Sequence, residues 1–300
     1  MSSGKRLDVR ARVLADARAF FGARGFLEVT TPAIVPSPGM DLHLVAFAVE
    51  DRFLATSPEY QMKRLLADHA RIFQIGPCFR RGEKGARHNP EFAMLEWYRR
   101  GAGVEDVMRD TEQLVARVSG GAFDVEGRRV AALPPFARLG VCEAFARFAG
   151  AGERDVLEWA ARDEDRYFRT YVERVEPALE ALDHAVFLVD FPATQASLAR
   201  KKPSDPRFAE RFELYVAGVE LCNGFGELVD PVEQRARFEA DTAARAERGL
   251  PAYPIDEKLL AALARLPDSA GNALGLDRLC ALAAGTRDIE RVMAFTTDEL

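Results

Sequence analysis

Lysine is nearly missing from this chain: six lysines stand against 35 arginines among 300 residues. The arginines run through the whole sequence, so the imbalance reads as compositional bias and not as a basic binding stripe. A basic excess is missing too. The net charge is −6, which excludes the phosphate-neutralising surface of a nucleic-acid-coating protein. Cysteine is sparse, and Cys78, Cys142, Cys222 and Cys280 are far apart, which excludes zinc ribbons and CxxC redox motifs. Four scattered cysteines suit a reducing compartment. No apolar run approaches the roughly 18 residues of a membrane span, and the first 13 residues lack the apolar core of a secretory signal. A cytoplasmic protein is expected. Neither GxGxxG nor GxxxxGK[ST] occurs, and there are no repeats.

What is present is ordinary for a globular protein, with 48% apolar and 29% charged residues. At about 150 residues per domain the length allows two domains or one large one. Helical spacing of apolar residues covers 7–24, and glycines then stop the helix. Residues 26–36 are β-branched and broken by proline, which predicts an extended edge strand. A hairpin is expected at 44–49 and 52–55, and Pro58 opens a helix over 59–68. Two strands, 71–80 and 91–98, flank a loop, and a helix follows over 104–119. Residues 138–182 read as a charge-rich helical insertion, with helices near 143–148, 154–161 and 165–182. Strands are expected at 185–190, 211–216, 219–228 and 271–274, with helices at 232–248, 256–266 and 276–284. Strands follow strands and helices are grouped, so the fold class is α+β with an antiparallel sheet flanked by helices.

Three segments carry chemistry. In FRRGEKGARHNPEFAMLEWY (79–98), Arg80 ends an apolar strand and Phe92 begins its return. A guanidinium can bind phosphate bidentately, and a phenyl ring can stack a base. Taken alone, the segment also suits a charged hairpin loop with a core phenylalanine. In VELCNGFGEL (219–228), Glu220 and Glu227 flank Asn223, an oxygen donor set for a hard cation such as Mg²⁺. A solvated hairpin is the alternative, though unpaired carboxylates are costly in apolar sequence. In GNALGLDR (271–278), glycines permit close backbone approach to a ligand. Arg278 stands in a first helical turn, where the helix dipole does not favour it. An anionic or aromatic partner would explain it there, and so would a plain strand-to-helix turn.

Together these segments resemble the motifs of class II aminoacyl-tRNA synthetases, and of the lysine branch in particular. GFLEVTTPAI (25–34) is similar to motif 1 at the dimer interface, 79–98 to motif 2 and 271–278 to motif 3. TSPEYQMKRLL (56–66) and VELCNGFGEL are similar to the segments that build the amino-acid pocket. The motifs occur in order and span nearly the whole chain. Motif 1 begins at Gly25 and few residues follow motif 3, so one catalytic domain over 1–300 is expected, with no anticodon-binding domain. Within the branch the chain is similar to truncated paralogues that attach (R)-β-lysine to a lysine of translation elongation factor P. Ala273, where lysyl synthetases have glycine, and LEWYR (95–99) support that likeness. Motif 2 departs in one place: Arg80 and Arg81 are followed by Gly82, and an acidic residue comes only at Glu83.

The resemblance implies the activity and the site. ATP and Mg²⁺ would be used, with Arg80 and Arg278 as the catalytic arginines. Arg80 would bind the α-phosphate, and Phe92 and Arg278 would sandwich adenine. Arg81, Gly82, Glu83, His88, Asn89, Glu220, Leu221 and Gly275 complete the expected ATP contacts. Glu220 and Glu227 are the expected metal ligands. Ser57, Pro58, Glu59, Glu96, Tyr98, Asn223, Phe225, Glu227 and Ala273 are the expected substrate pocket. Several carboxylates beside aromatic rings suit a ligand with two ammonium groups, each of which needs a charged partner once water is removed. The implied partners are elongation factor P, β-lysine and a second copy of the chain, with neither tRNA nor a membrane. A free-standing lysyl-tRNA synthetase core is the first alternative, disfavoured by the acidic charge. An inactive regulatory paralogue is the second, disfavoured because Arg80, Arg278, Glu220 and Glu227 are all retained.

Overall fold

A computed structural model describes residues 6–42 and 44–300. Residues 1–5, part of the segment read above for a leader, and His43 lie outside the described residues. Helix α1 (Leu7–Gly22) buries Val9, Val13, Ala17, Phe20 and Phe21 along one face. The stretch expected as one strand over 26–36 forms two short ones, β1 (Leu27–Glu28) and β2 (Ile34–Val35). Pro32 between them has no N–H to give a ladder. The hairpin that follows is shorter than expected, β3 (Ala48–Val49) and β4 (Arg52–Leu54). Then come α2 (Glu59–Leu66), β5 (Arg71–Phe79), β6 (Glu91–Arg100) and α3 (Val104–Ser119).

A hairpin absent from the sequence reading follows, β7 (Ala122–Val125) and β8 (Arg128–Ala131). Its turn residues Glu126 and Gly127 both have positive φ, 50° and 82°, the geometry of a two-residue hairpin turn. The expected helical insertion at 138–182 needs a correction at its start. Strand β9 (Ala137–Gly140) lies parallel to β10 (Val186–Pro192), and the helices begin only afterwards. They are α4 (Val141–Ala149), α5 (Glu153–Arg162), α6 (Glu164–Thr170) and α7 (Glu176–Glu180), with a π-turn at Tyr171–Val175 between the last two. The chain ends through β11 (Phe208–Val216), β12 (Val219–Gly226), α8 (Pro231–Glu247), α9 (Glu257–Leu263), β13 (Ser269–Gly275) and α10 (Leu276–Ala283).

Eight strands form the main sheet in the order β1-β5-β6-β13-β12-β11-β10-β9. It is antiparallel except at its two ends, where β1 runs parallel to β5 and β9 to β10. Together with its flanking helices this is the α+β architecture expected. On one face α1, α3 and α10 close over Phe73, Leu95, Trp97, Phe187 and Phe212. On the other, α2, α8 and α9 pack on Ile72, Tyr98, Ala209 and Phe225. Helices α4 to α7 form a third cluster against Leu188 and Tyr215, beside the second face.

Candidate active site

Strand β6 sends Leu95 and Trp97 into the first core and turns Glu96 and Tyr98 to the second face, as a two-residue period requires. Glu96 is fully buried. Its Oε1 accepts a hydrogen bond from Ser57 Oγ at 2.7 Å and its Oε2 one from Tyr98 Oη at 2.8 Å. Burial, and then the charge of Glu59, push the Glu96 carboxyl up to about 7. Ala273 on β13 lies directly between Glu96 on β6 and Asn223 on β12, so these three side chains share a face. Gly271 lies opposite Tyr98 in the same register. A Cβ at Gly271 would come 2.2 Å from the Tyr98 ring, so only glycine lets that ring lie across β13.

Strand β12 contains a register shift: Leu214 pairs with Cys222, but Tyr215 pairs with Glu220. The extra residue is Leu221, a β-bulge that rotates the strand by one residue. Without it, Glu220 and Asn223 would face opposite sides of the sheet. With it, both line the same cavity.

Helix α2 supplies the cation of the site. Lys63 Nζ is 2.6 Å from Glu59 Oε1, one turn earlier, and 2.5 Å from Glu227 Oε2. Lys63 and Glu227 are each 1% exposed. Burial works to discharge Lys63, but Glu227 and Glu59 outweigh it and hold the ammonium above the ordinary lysine range. Asn223 Oδ1 and Glu227 Oε1 are buried without a hydrogen-bond donor.

One cavity gathers most of the residues expected from sequence. Ser57, Glu59, Arg80, Glu83, His88, Asn89 and Phe92 line it together with Glu220, Leu221, Asn223, Phe225, Ala273, Gly275 and Arg278. Glu96, Tyr98 and Glu227 stand directly behind its wall. Pro58 caps the start of α2. Arg81 and Gly82 fall outside the lining; Gly82 has φ +87°, so this turn of the loop favours glycine.

Arg80 holds Thr56 O through Nε at 3.3 Å, lies 5.0 Å over the Phe92 ring and comes 3.7 Å from Glu83. Arg278 finds the anionic partner its helical position asks for. Its Nη1 donates to Glu220 O at 2.8 Å and lies 3.5 Å from the Glu220 carboxylate. Its Nη2 donates to His88 Nε2 at 2.8 Å. Burial, and then the charge of Arg278, hold His88 below its ordinary value, which keeps that nitrogen free to accept. The loop over 81–90 is braced by the C-terminal residues. Ile289 N donates to Ala86 O at 3.0 Å, Thr297 N donates to Asn89 Oδ1 at 3.2 Å, and Lys84 pairs with Asp298 at 2.5 Å.

The expected metal pair Glu220 and Glu227 needs a correction. At about 3.3 Å per residue, seven residues of extended chain set them on the order of 20 Å apart, so they cannot share one ion. Glu227 is committed to Lys63. The carboxylate beside Glu220 is Glu213 on β11, where burial, and also Glu220, hold the carboxyl above its usual range against the pull of Arg211. Glu220 facing the cavity, with the unpartnered Asn223 oxygen nearby on the same strand, fits a hard divalent cation. Lys63 and Glu213 are the residues the sequence reading missed. The signal for Lys63 was a lone lysine four residues after Glu59; Glu213 had none, because its neighbour depends on strand pairing.

The family model for class II tRNA synthetases (D, K and N) matches residues 2–299. The elongation factor P–(R)-β-lysine ligase of Klebsiella pneumoniae (strain 342) is 42% identical, with 96% of this chain and 94% of that protein aligned. The protein of the same name from Vibrio cholerae serotype O1 (strain ATCC 39315 / El Tor Inaba N16961) is 43% identical over 98% of this chain and 96% of its own. That from Proteus mirabilis (strain HI4320) is 41% identical over 95% and 93%. With the family model matching nearly every residue, the chain belongs to the class II tRNA synthetases of the aspartate, lysine and asparagine group.

Proposed function

We propose that this chain activates (R)-β-lysine with ATP and transfers it to a lysine ε-amino group of translation elongation factor P. The observation that carries the substrate class is the charge of the amino-acid pocket. Glu59, Glu96 and Glu227 converge there around a single lysine, Lys63. Three glutamates around one lysine suit a ligand with two ammonium groups, each of which needs a charged partner once water is removed. The names and full-length likeness of the relatives support β-lysine and elongation factor P as the substrates.

In the first step a carboxylate oxygen of the substrate attacks the α-phosphorus of ATP and pyrophosphate leaves, giving an aminoacyl adenylate. The carboxylate is already ionised near neutral pH, so the step needs positioning and charge neutralisation and no general base. Arg80 meets the α-phosphate; Phe92 and Arg278 hold adenine between them by stacking and cation–π attraction. Glu96, oriented by Ser57 and Tyr98, receives one substrate ammonium. Mg²⁺, held by Glu220 with Asn223 close by, would neutralise phosphate charge when bound. In the second step the neutral acceptor amine attacks the acyl carbon, AMP leaves, and the amine loses a proton as the amide forms.

Two copies of the chain associate through the extended segment around β2, and the protein works in the cytoplasm. Among the described residues no helix is long and apolar enough to cross a membrane. The test incubates the protein with ATP, Mg²⁺ and β-lysine, together with elongation factor P or total tRNA. Intact-mass analysis should show the protein acceptor gaining one lysyl group, with no charged tRNA. Efficient tRNA charging beside an unmodified protein acceptor would overturn the reading.

A further inference from the structure

Arg245 has no part in the two steps just described, yet it is 0% exposed. Burying a guanidinium is costly unless its hydrogen bonds are met. The charge is eased by its place in the last turn of α8, where the helix dipole favours a cation. Its Cζ also lies 4.3 Å from the centre of the Tyr253 ring, a cation–π contact. The acceptors show what it does. Nε donates to Pro251 O at 3.0 Å and ties α8 to the chain just after it. Nη1 donates to Asp41 O and, at 2.8 Å, to Leu44 O, which stand 204 and 201 residues earlier. Those carbonyls belong to the stretch before β3, where residues 38–42 and 44–46 are in neither helix nor strand. Pro38, Gly39, Met40, Asp41 and Leu44 line the cavity. Without a ladder, the backbone here depends on side chains from elsewhere. Thr56 Oγ1 donates to Pro38 O at 2.7 Å, Tyr60 Oη accepts from Met40 N at 2.7 Å, and Tyr253 Oη accepts from Ala46 N at 2.8 Å. Thr56 and Tyr60 flank Ser57 and Glu59 in the sequence, so this wall stands at the amino-acid end of the cavity.

We infer that Arg245 is a positioning residue that fixes this wall of the amino-acid pocket, so that the substrate meets a surface already in place. This rests on the function proposed above. Serving carbonyls on two segments at once is a task for the planar fork of arginine and not for lysine, whose ammonium is a point charge. Tyr253 has two parts in the arrangement. Its ring carries the guanidinium, and its hydroxyl holds the far end of the same stretch. The fit of the amino acid then depends on a residue that touches no substrate.

Pyrophosphate exchange is measured with β-lysine and ATP varied in turn, and melting curves are recorded alongside. Arg245→Lys should raise the KM for β-lysine about tenfold and leave kcat and the KM for ATP within about twofold, the pattern of lost ground-state binding. Tyr253→Phe keeps the ring and removes only the hydroxyl, and it should raise the same KM by about threefold. An arginine that only held the fold together would lower the melting temperature and leave the KM for β-lysine where it was. That result in folded Arg245→Lys, or a rise of equal size in both KM values, would overturn the inference. If Arg245→Lys does not fold, Tyr253→Phe decides by the same criterion. Absence of exchange by the parent with any diamino acid would overturn the proposed function, and this inference with it.

Discussion

Glu96 is where acidity enters the behaviour of the site. Its folded-state value of about 7 lies above the 4.5 of an ordinary glutamate. The folded protein therefore holds this proton more tightly than the unfolded chain does. The stabilisation is complete below about pH 4.5 and is lost as pH rises through about 7. A bound ammonium acts in the opposite sense, because it pairs with the ionised form. Stabilisation of the protein by β-lysine should thus be small near pH 5.5 and larger near pH 8, read as the shift in melting temperature; equal shifts at both would refute this role. Ala273 gives a second test at this scale. Its methyl stands between Glu96 and Asn223 on the cavity face, and Ala273→Gly should raise activation of α-lysine relative to β-lysine. One methyl is worth roughly 1–3 kcal/mol of discrimination, so the change in the ratio should be partial; parallel exchange assays measure it.

Among the elements, those with a clear period were legible in the sequence. The helix expected over 104–119 and the strand pair ending at Arg80 and beginning near Phe92 stand where the apolar spacing put them. What was not legible depends on partners distant in sequence. Strand β9 has only four residues and exists because β10 offers it a parallel edge. The hairpin β7–β8 turns on Glu126 and Gly127, which lack the Asn-Gly or Asp-Gly signature. The bulge at Leu221 is invisible without the opposite strand, and yet it puts Glu220 and Asn223 on one face. Hence the residues of the site could be named from their motifs, but the pairing of Glu220 with Glu227 could not survive. The π-turn between α6 and α7 carries its own test. Tyr171 Oη lies 2.8 Å from Tyr215 Oη, which donates to Glu213 at 3.0 Å. Tyr171→Phe should cost about 1 kcal/mol, the net worth of one buried hydrogen bond, measured by urea unfolding. No loss would mean that the helical cluster is not anchored to the sheet through this contact.

The whole molecule leaves Leu27 and Ile34 about half exposed, at 49% and 48%. Both lie on the extended segment where the sequence suggested an interface, and a concave surface lined by Pro32, Ile34, Val35 and Leu65 opens beside them. We propose that this face is where two copies associate, since a two-fold pairing would cover it on both at once. Light scattering should give the mass of a dimer, and Ile34→Asp should give a monomer or an unfolded chain. A monomer for the unaltered protein would remove the proposed pairing.

The bracing of the 81–90 loop by the C-terminal residues has a practical consequence for anyone handling this protein. Asp298 is two residues from the last position, and its contact with Lys84, like that of Thr297 with Asn89, ties the tail to a loop that borders the nucleotide cavity. A cut after Ala294 would release that strut, while Ile289 and Val292 just before it keep their places in the first core. Such a preparation would look sound by circular dichroism and gel filtration and still handle ATP poorly.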